Sequence, residues 1–179
     1  DVLDVLTHLV DKSLVLTEEQ NGEMRYRMLE TIRQYALGKL REASELERLR
    51  GCHRDFFLRL AEEAEPNLRG ASQVVWLNRL EREYDNILAA IEWSLANADA
   101  EACLRFGGAL WFFWNVRGYW SEGRERLAKI LAMPGAVSYT RTRAKALNGA
   151  VFLVLLQGDY AVARAFLEES LTIGKSVEE

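Results

Sequence analysis

The sequence predicts a mainly α-helical protein in which a helix, a β-hairpin and a second helix precede a solenoid of stacked helical hairpins. Three observations predict it. Apolar residues recur at helical spacing along most of the 179 residues. The strongest strand signal is Asn21-Gly22, the dipeptide that suits a tight hairpin turn, set between two short stretches of strand-forming residues. One turn layout occurs twice, around Gly118 and again around Gly158, as repeated helical units require.

In residues 2–12, Val2, Leu3, Leu6, Leu9 and Val10 share one helical face and leave Asp4, His8 and Asp11 on the other. Residues 13–17 then run into the Asn21-Gly22 turn and out through Met24-Arg25-Tyr26-Arg27-Met28; a turn closed by that dipeptide sets Glu18 opposite Arg25 and turns Met24, Tyr26 and Met28 towards a core. A second helix opens at Glu30-Thr31 and carries Ile32, Tyr35, Ala36, Leu37 and Leu40. Helix, hairpin, helix over 1–44 is the order of the C-terminal part of a winged-helix domain.

Residues 45–100 read as linker and support helices. Leu46, Leu49, Cys52, His53, Phe56, Phe57, Leu60 and Ala64 form one long stripe, and a further pair is expected at about 73–82 and 84–97. Pro66 and Pro134, the two prolines, lie close to Gly70 and beside Gly135, where helices should end.

The repeats occupy 101–179, as two hairpins at 101–135 and 141–179 of tetratricopeptide-like (TPR-like) design. In the first, Gly118 breaks one helix and Trp120 starts the next, with Gly123, Leu127 and Leu131 on its packing face; in the second, Gly158, Tyr160, Ala163, Leu167 and Leu171 take the same places. The interval from Gly118 to Gly158 is longer than the period usual for such repeats, and residues 133–140 account for the excess as a longer loop. Phe106, Trp111, Phe112, Phe113 and Trp114 make one helix apolar all round, so it must be covered on two sides. Trp111 and Trp114 are expected in that core; if any ring lines a groove instead, Trp111 or Trp114 beside Asn115 are the candidates. Because the second hairpin has no following repeat in this sequence, its last helix should expose apolar area and promote self-association.

The chain carries a net charge of −4 and lacks the clustered cations of a nucleic-acid-binding surface. The helix at 2–12 would bring Asp4 and Asp11 against phosphates, while Arg25 and Arg27 on the hairpin neutralise too few of them. Direct binding to nucleic acid by this segment is not expected. Cys52 and Cys103 lack the spacing of a zinc site or a disulfide framework, and reduced, buried thiols are expected at both positions. His53 next to Cys52 points about 100° away from it on a helix, and no second pair completes a metal site. No histidine is paired with a nucleophile, and Gly107-Gly108 and Gly149 read as places of close helix approach. No catalytic residue, metal ligand or resident cofactor is expected. There is no apolar run long enough to span a bilayer and no signal peptide, which leads to the expectation of a cytoplasmic address, no membrane partner, and a segment cut from a longer protein.

The stretches Leu9-Val10-Asp11-Lys12-Ser13-Leu14-Val15 and Tyr26-Arg27-Met28-Leu29-Glu30-Thr31-Ile32-Arg33-Gln34-Tyr35-Ala36 resemble the end of the winged-helix domain of bacterial signal-transduction ATPases of the STAND (apoptotic-ATPase-like, NB-ARC) class, particularly its transcriptional regulators. Residues 76–87, Trp76-Leu77-Asn78-Arg79-Leu80-Glu81-Arg82-Glu83-Tyr84-Asp85-Asn86-Ile87, resemble the linker before their repeats. The resemblance implies an upstream P-loop domain that binds ATP or ADP, a winged helix that closes over it, and repeats that sense a signal. Leu29 stands where many members of that class have a phosphate-contacting histidine, and a leucine donates no hydrogen bond, so that contact does not carry over. Nor does this chain contain GxxxxGK[ST].

The expected function is therefore a non-catalytic regulatory and protein-interaction segment, lid plus sensor, of an ATP-dependent bacterial transcriptional regulator. Its expected partners are its own ATPase domain and an effector. The alternatives are a stand-alone TPR-like scaffold for a partner peptide and a DNA-binding winged helix.

Overall fold

A computed structural model of the chain describes residues 1–20, 22–138 and 140–178, with the backbone alone at Gln20, Glu23 and 176–178. The described residues are mainly helical and divide into two compact units, Asp1–Leu49 and Arg50–Glu179.

The first unit begins with α1 (Val2–Asp11), whose N-terminus is capped by the Asp1 carboxylate accepting from the Leu3 amide at 3.3 Å. A turn at Ser13 leads into β1 (Leu16–Gln20) and β2 (Glu23–Arg27), paired antiparallel. Glu18 is in register with Arg25, and Gly22 takes the positive φ of +80° that a tight hairpin demands; Asn21 of the expected turn lies outside the described residues. The unit then enters α2 (Glu30–Glu42). Helix, hairpin and helix follow in the expected order. The expectation that Met24, Tyr26 and Met28 face a core is not met, for all three are exposed. A ribbon of two strands offers too little surface to bury a face by itself.

The second unit contains most of α3 (Leu46–Ala64), then α4 (Gln73–Arg82), α5 (Tyr84–Ala96), α6 (Ala100–Arg117), α7 (Trp120–Leu131), α8 (Thr140–Leu156) and α9 (Tyr160–Glu178). Pro66 falls in a short 3-10 turn, Glu65–Leu68, directly after α3, and the loop before α8 holds a second such turn at Ala136–Ser138, with Tyr139 outside the described residues. The helices stack in sequence: α5 on α6, α6 on α7, α8 on both α6 and α7, and α9 on α8.

Within the second unit three turns close alike, as those at Ser13 and Ser44 do in the first. Each has a residue of positive φ (Ala98, Gly118, Gly158), and the next residue's amide donates back to the carbonyl one longer turn earlier, as Asp99 to Ser94, Tyr119 to Trp114 and Asp159 to Val154. The main core of the second unit is a continuous apolar cluster from Phe57 to Leu153, in which Phe106, Phe113 and Trp114 are fully buried; Val151, Val154 and Ala163 form a smaller one between α8 and α9. Helix α6 explains that continuity, since it is apolar on all sides and is covered by α5, α7 and α8.

Candidate interaction surface

Small residues bring α6, α7 and α8 together. A β-carbon at Gly107 would lie 2.8 Å from Leu127 Cδ2, one at Gly123 would lie 2.8 Å from Leu153 Cδ1 and 3.0 Å from Trp114 Cβ, and one at Gly149 would lie 2.6 Å from Trp111 Cγ. These glycines are seats for side chains of the neighbouring helix. Among the repeat-defining residues, Gly123, Leu127, Leu131 and Ala163 are buried, and Gly118 and Gly158 form the left-handed turns. Trp120, Tyr160, Leu167 and Leu171 remain exposed; the Trp120 Nε1 donates to the Asn115 carbonyl at 2.9 Å.

The three residues proposed to line a groove separate. Trp114 is wholly enclosed, because it faces Gly123 and Leu153, and so it offers no surface to a ligand. Asn115 is half-buried. Trp111 is half-buried as well and forms the centre of an aromatic shelf at the surface. Phe152 of α8 stacks on it with centroids 4.8 Å apart and planes 16° apart, while Phe112 meets it edge-on at 5.4 Å. The Arg69 guanidinium, from the loop before α4, lies 5.3 Å from the Trp111 ring and 4.8 Å from that of Phe112. Phe152 is 52% exposed, so the shelf is open to solvent on that side. Flat aromatic faces beside a guanidinium suit a peptide or a planar ligand with negative charge. Periodicity pointed to Trp111, but the pattern carried no signal for Arg69 or Phe152, which come from other helices or loops.

Charged pairs bridge the layers. Arg105 makes a two-pronged contact with Glu62, at 2.7 and 2.8 Å; Arg54 meets Asp99, which caps α6 through the Ala102 amide at 3.0 Å. Arg124 meets Asp159, which caps α9 through the Val162 amide; the guanidinium holds the Asp159 carboxyl below its ordinary value. Arg143, buried at the start of α8, joins Glu169 at 2.6 Å to the Leu131 carbonyl at 2.8 Å. These arginines set the register of the stack.

Leu29 is the N-cap residue of α2, exposed and with no side-chain cap to the helix. Among the described residues no group of three or more His, Cys, Asp or Glu is placed to hold a metal ion, and no helix is long and apolar enough to cross a membrane. Cys103 is buried as expected, but Cys52 is exposed, since it lies on the solvent side of α3. Burial, followed by the Asp99 and Glu92 carboxylates, pushes the Cys103 thiol up to about 12. His53 packs on Phe57 with centroids 4.6 Å apart, and burial lowers its pKa below 6.5 despite a hydrogen bond with Asn86.

No family model and no solved structure matches the chain. Curated relatives do: a protein of Mycobacterium bovis and two of Mycobacterium tuberculosis, each 39% identical over 130 residues, or 73% of this chain. All three bear the name putative HTH-type transcriptional regulator. The chain spans about 14% of their length, and its similarity is thus to one segment of those large mycobacterial proteins.

Proposed function

We propose that this chain is a non-catalytic regulatory and protein-interaction segment of a bacterial transcriptional regulator, with residues 1–44 as the end of a winged-helix lid, 45–100 as a linker and 101–179 as two TPR-like sensor hairpins. The observation that carries it is the aromatic shelf of Trp111, Phe112 and Phe152 under Arg69, a recognition surface on a rigid helical stack with no catalytic constellation beside it among the described residues. The likeness to proteins named as transcriptional regulators supports the regulatory setting. The likeness of 9–15, 26–36 and 76–87 to STAND ATPases supports a nucleotide switch, with ATP or ADP held by a P-loop domain elsewhere in the same cytoplasmic protein. An effector on the shelf acts on that switch only through differential affinity for its two states.

DNA contact is assigned elsewhere in the protein. The relatives' name covers chains of which this one spans about 14%, and α1 carries Asp4 and Asp11 on its polar face. The test is the release of a fluorescent ADP analogue from the full-length regulator that contains this segment, compared with Arg69→Ala and Phe152→Ala variants. Changed release from variants that melt like the parent supports the switch; identical release from all three, with a peptide partner still captured by the parent, leaves the plain scaffold. Salt-sensitive binding of this chain to mixed-sequence duplex at low salt would instead favour the DNA reading.

A further inference from the structure

Contacts between successive layers repeat with the sequence. Arg117, at the end of α6, reaches back to Glu81 on α4 at 3.1 Å; its equivalent in the next layer, Gln157, just past α8, reaches back to Ser121 on α7 at 3.3 Å. Tyr84 on α5 stacks on Tyr119 in the α6–α7 turn, centroids 4.9 Å apart; at the equivalent pair of positions one repeat later, Arg124 on α7 donates to Asp159 in the α8–α9 turn at 2.6 Å. Each layer thus offers one side chain to the turn of the layer that lies on it. The next member of that series is Arg164 on α9.

Its surroundings differ from those of its predecessors. The Arg164 side chain is 81% exposed and is paired at 2.8 Å with Glu168, one helical turn away, a contact that is readily exchanged for a better one. On α7, against which α8 packs, Leu127 and Leu131 are 0% and 7% exposed; their counterparts on α9, Leu167 and Leu171, are 42% and 64% exposed. The same face is covered in one layer and open in the next.

We propose that the outer face of α9 is a docking surface for a further antiparallel helical hairpin, whose turn presents a carboxylate to Arg164 and whose helices cover Leu167 and Leu171. A single helix does not meet both demands, because in the observed layers the turn partner and the packing helix come from one hairpin: Asp159 follows α8, α8 packs on α7, and Arg143 of α8 donates to the Leu131 carbonyl at 2.8 Å. Docking of this kind needs no nucleotide switch and so does not depend on the regulatory reading.

The test extends the intact chain with a second copy of residues 132–178 and follows amide hydrogen exchange of α9. Docking slows exchange in α9 by about tenfold or more relative to the unextended chain. Alanine in place of the copied Asp159, or Arg164→Ala, reverses that protection, while Arg164→Ala in the unextended chain leaves exchange unchanged. Equal α9 exchange in the two chains overturns the proposal. So does a dimer of the unextended chain at micromolar concentration that Leu171→Glu abolishes, since the face would then belong to a second copy.

Discussion

Gly149 of α8 faces Trp111 of α6 so closely that a β-carbon on it would lie 2.6 Å from Cγ and 2.7 Å from Cβ of the tryptophan. Those atoms are the stem of the side chain, fixed to the backbone, and the ring beyond them is held between Phe152 and Arg69. The helices therefore accept a glycine that costs roughly 1 kcal/mol relative to alanine in a helix interior. Gly149→Ala is expected to destabilise the chain by about 1–3 kcal/mol despite its better propensity, because overpacking outweighs that gain. Gly174→Ala on α9, where nothing lies within 4 Å of the added carbon, should be neutral or stabilising by up to about 1 kcal/mol. Urea unfolding of both variants checks this; equal stability of Gly149→Ala and the parent would mean that α6 and α8 are not in close contact.

Asp159 both caps α9 and receives Arg124. Its carboxyl is held below the ordinary 3.8 by the Arg124 guanidinium first and the Val162 amide second. A lowered folded-state pKa means that the contribution is complete above the unfolded value and is lost as pH falls through the folded one. Asp159→Asn keeps an acceptable cap but loses the charge, so it should be less stable than the parent at neutral pH and converge with it as acid protonates the Asp159 carboxyl of the folded chain. Asp159→Ala loses cap and charge and stays the less stable at both. A thermal-melting series over pH separates the three chains.

His53 responds in the same direction through another cause. Burial against Phe57 lowers its pKa from 6.5, so the folded state favours the neutral ring. The unfolded chain then binds more protons just below pH 6.5, and stability falls as pH drops from about 7 through that window. Replacing His53 with Gln should flatten this part of the profile, as measured by melting temperature; an unchanged slope would place the titrating group elsewhere.

The two thiols should react at very different rates. The thiolate is the reactive form, and Cys103 is both enclosed and raised to about 12, whereas Cys52 is exposed on α3. Titration of the native chain with an aromatic disulfide reagent at mild alkaline pH should modify one thiol quickly and the second only on unfolding. Mass mapping should place the fast label on Cys52.

What the sequence made legible was local. Gly118 and Gly158 announced the left-handed turns, because an αL residue after an apolar helix is a glycine signal, and Gly107, Gly108 and Gly149 announced close approach. Ala98 makes the same turn without a glycine and went unread. The division of labour between Trp111 and Trp114 could not be read either, since they are neighbours on one helix and only the rotation of α6 towards Gly123 and Gly149 decides which is enclosed. Arg69, Arg105 and Arg143 act across layers on partners distant in sequence, and those partners follow from how the stack is registered. Met24 and Tyr26 show the converse limit, in that alternation names a face but not what covers it.

The equivalent leucines Leu127 and Leu167 measure how far two copies of one pattern diverge once packed. Leu127 is fully enclosed with its Cδ2 aimed at Gly107, and Ile130 and Ala146, which meet the same glycine, are fully buried too, so the site has little freedom to collapse. Leu127→Ala should cost about 2–5 kcal/mol, the lost transfer energy plus a cavity. Leu167 is 42% exposed and loses little burial on truncation, so Leu167→Ala should cost about 1 kcal/mol or less. The urea midpoints of the two variants at matched slope report the difference directly. If the two costs were equal, α9 would have to be covered in solution, by a second copy or another helix, and raising the concentration of the Leu167→Ala chain would then shift its midpoint.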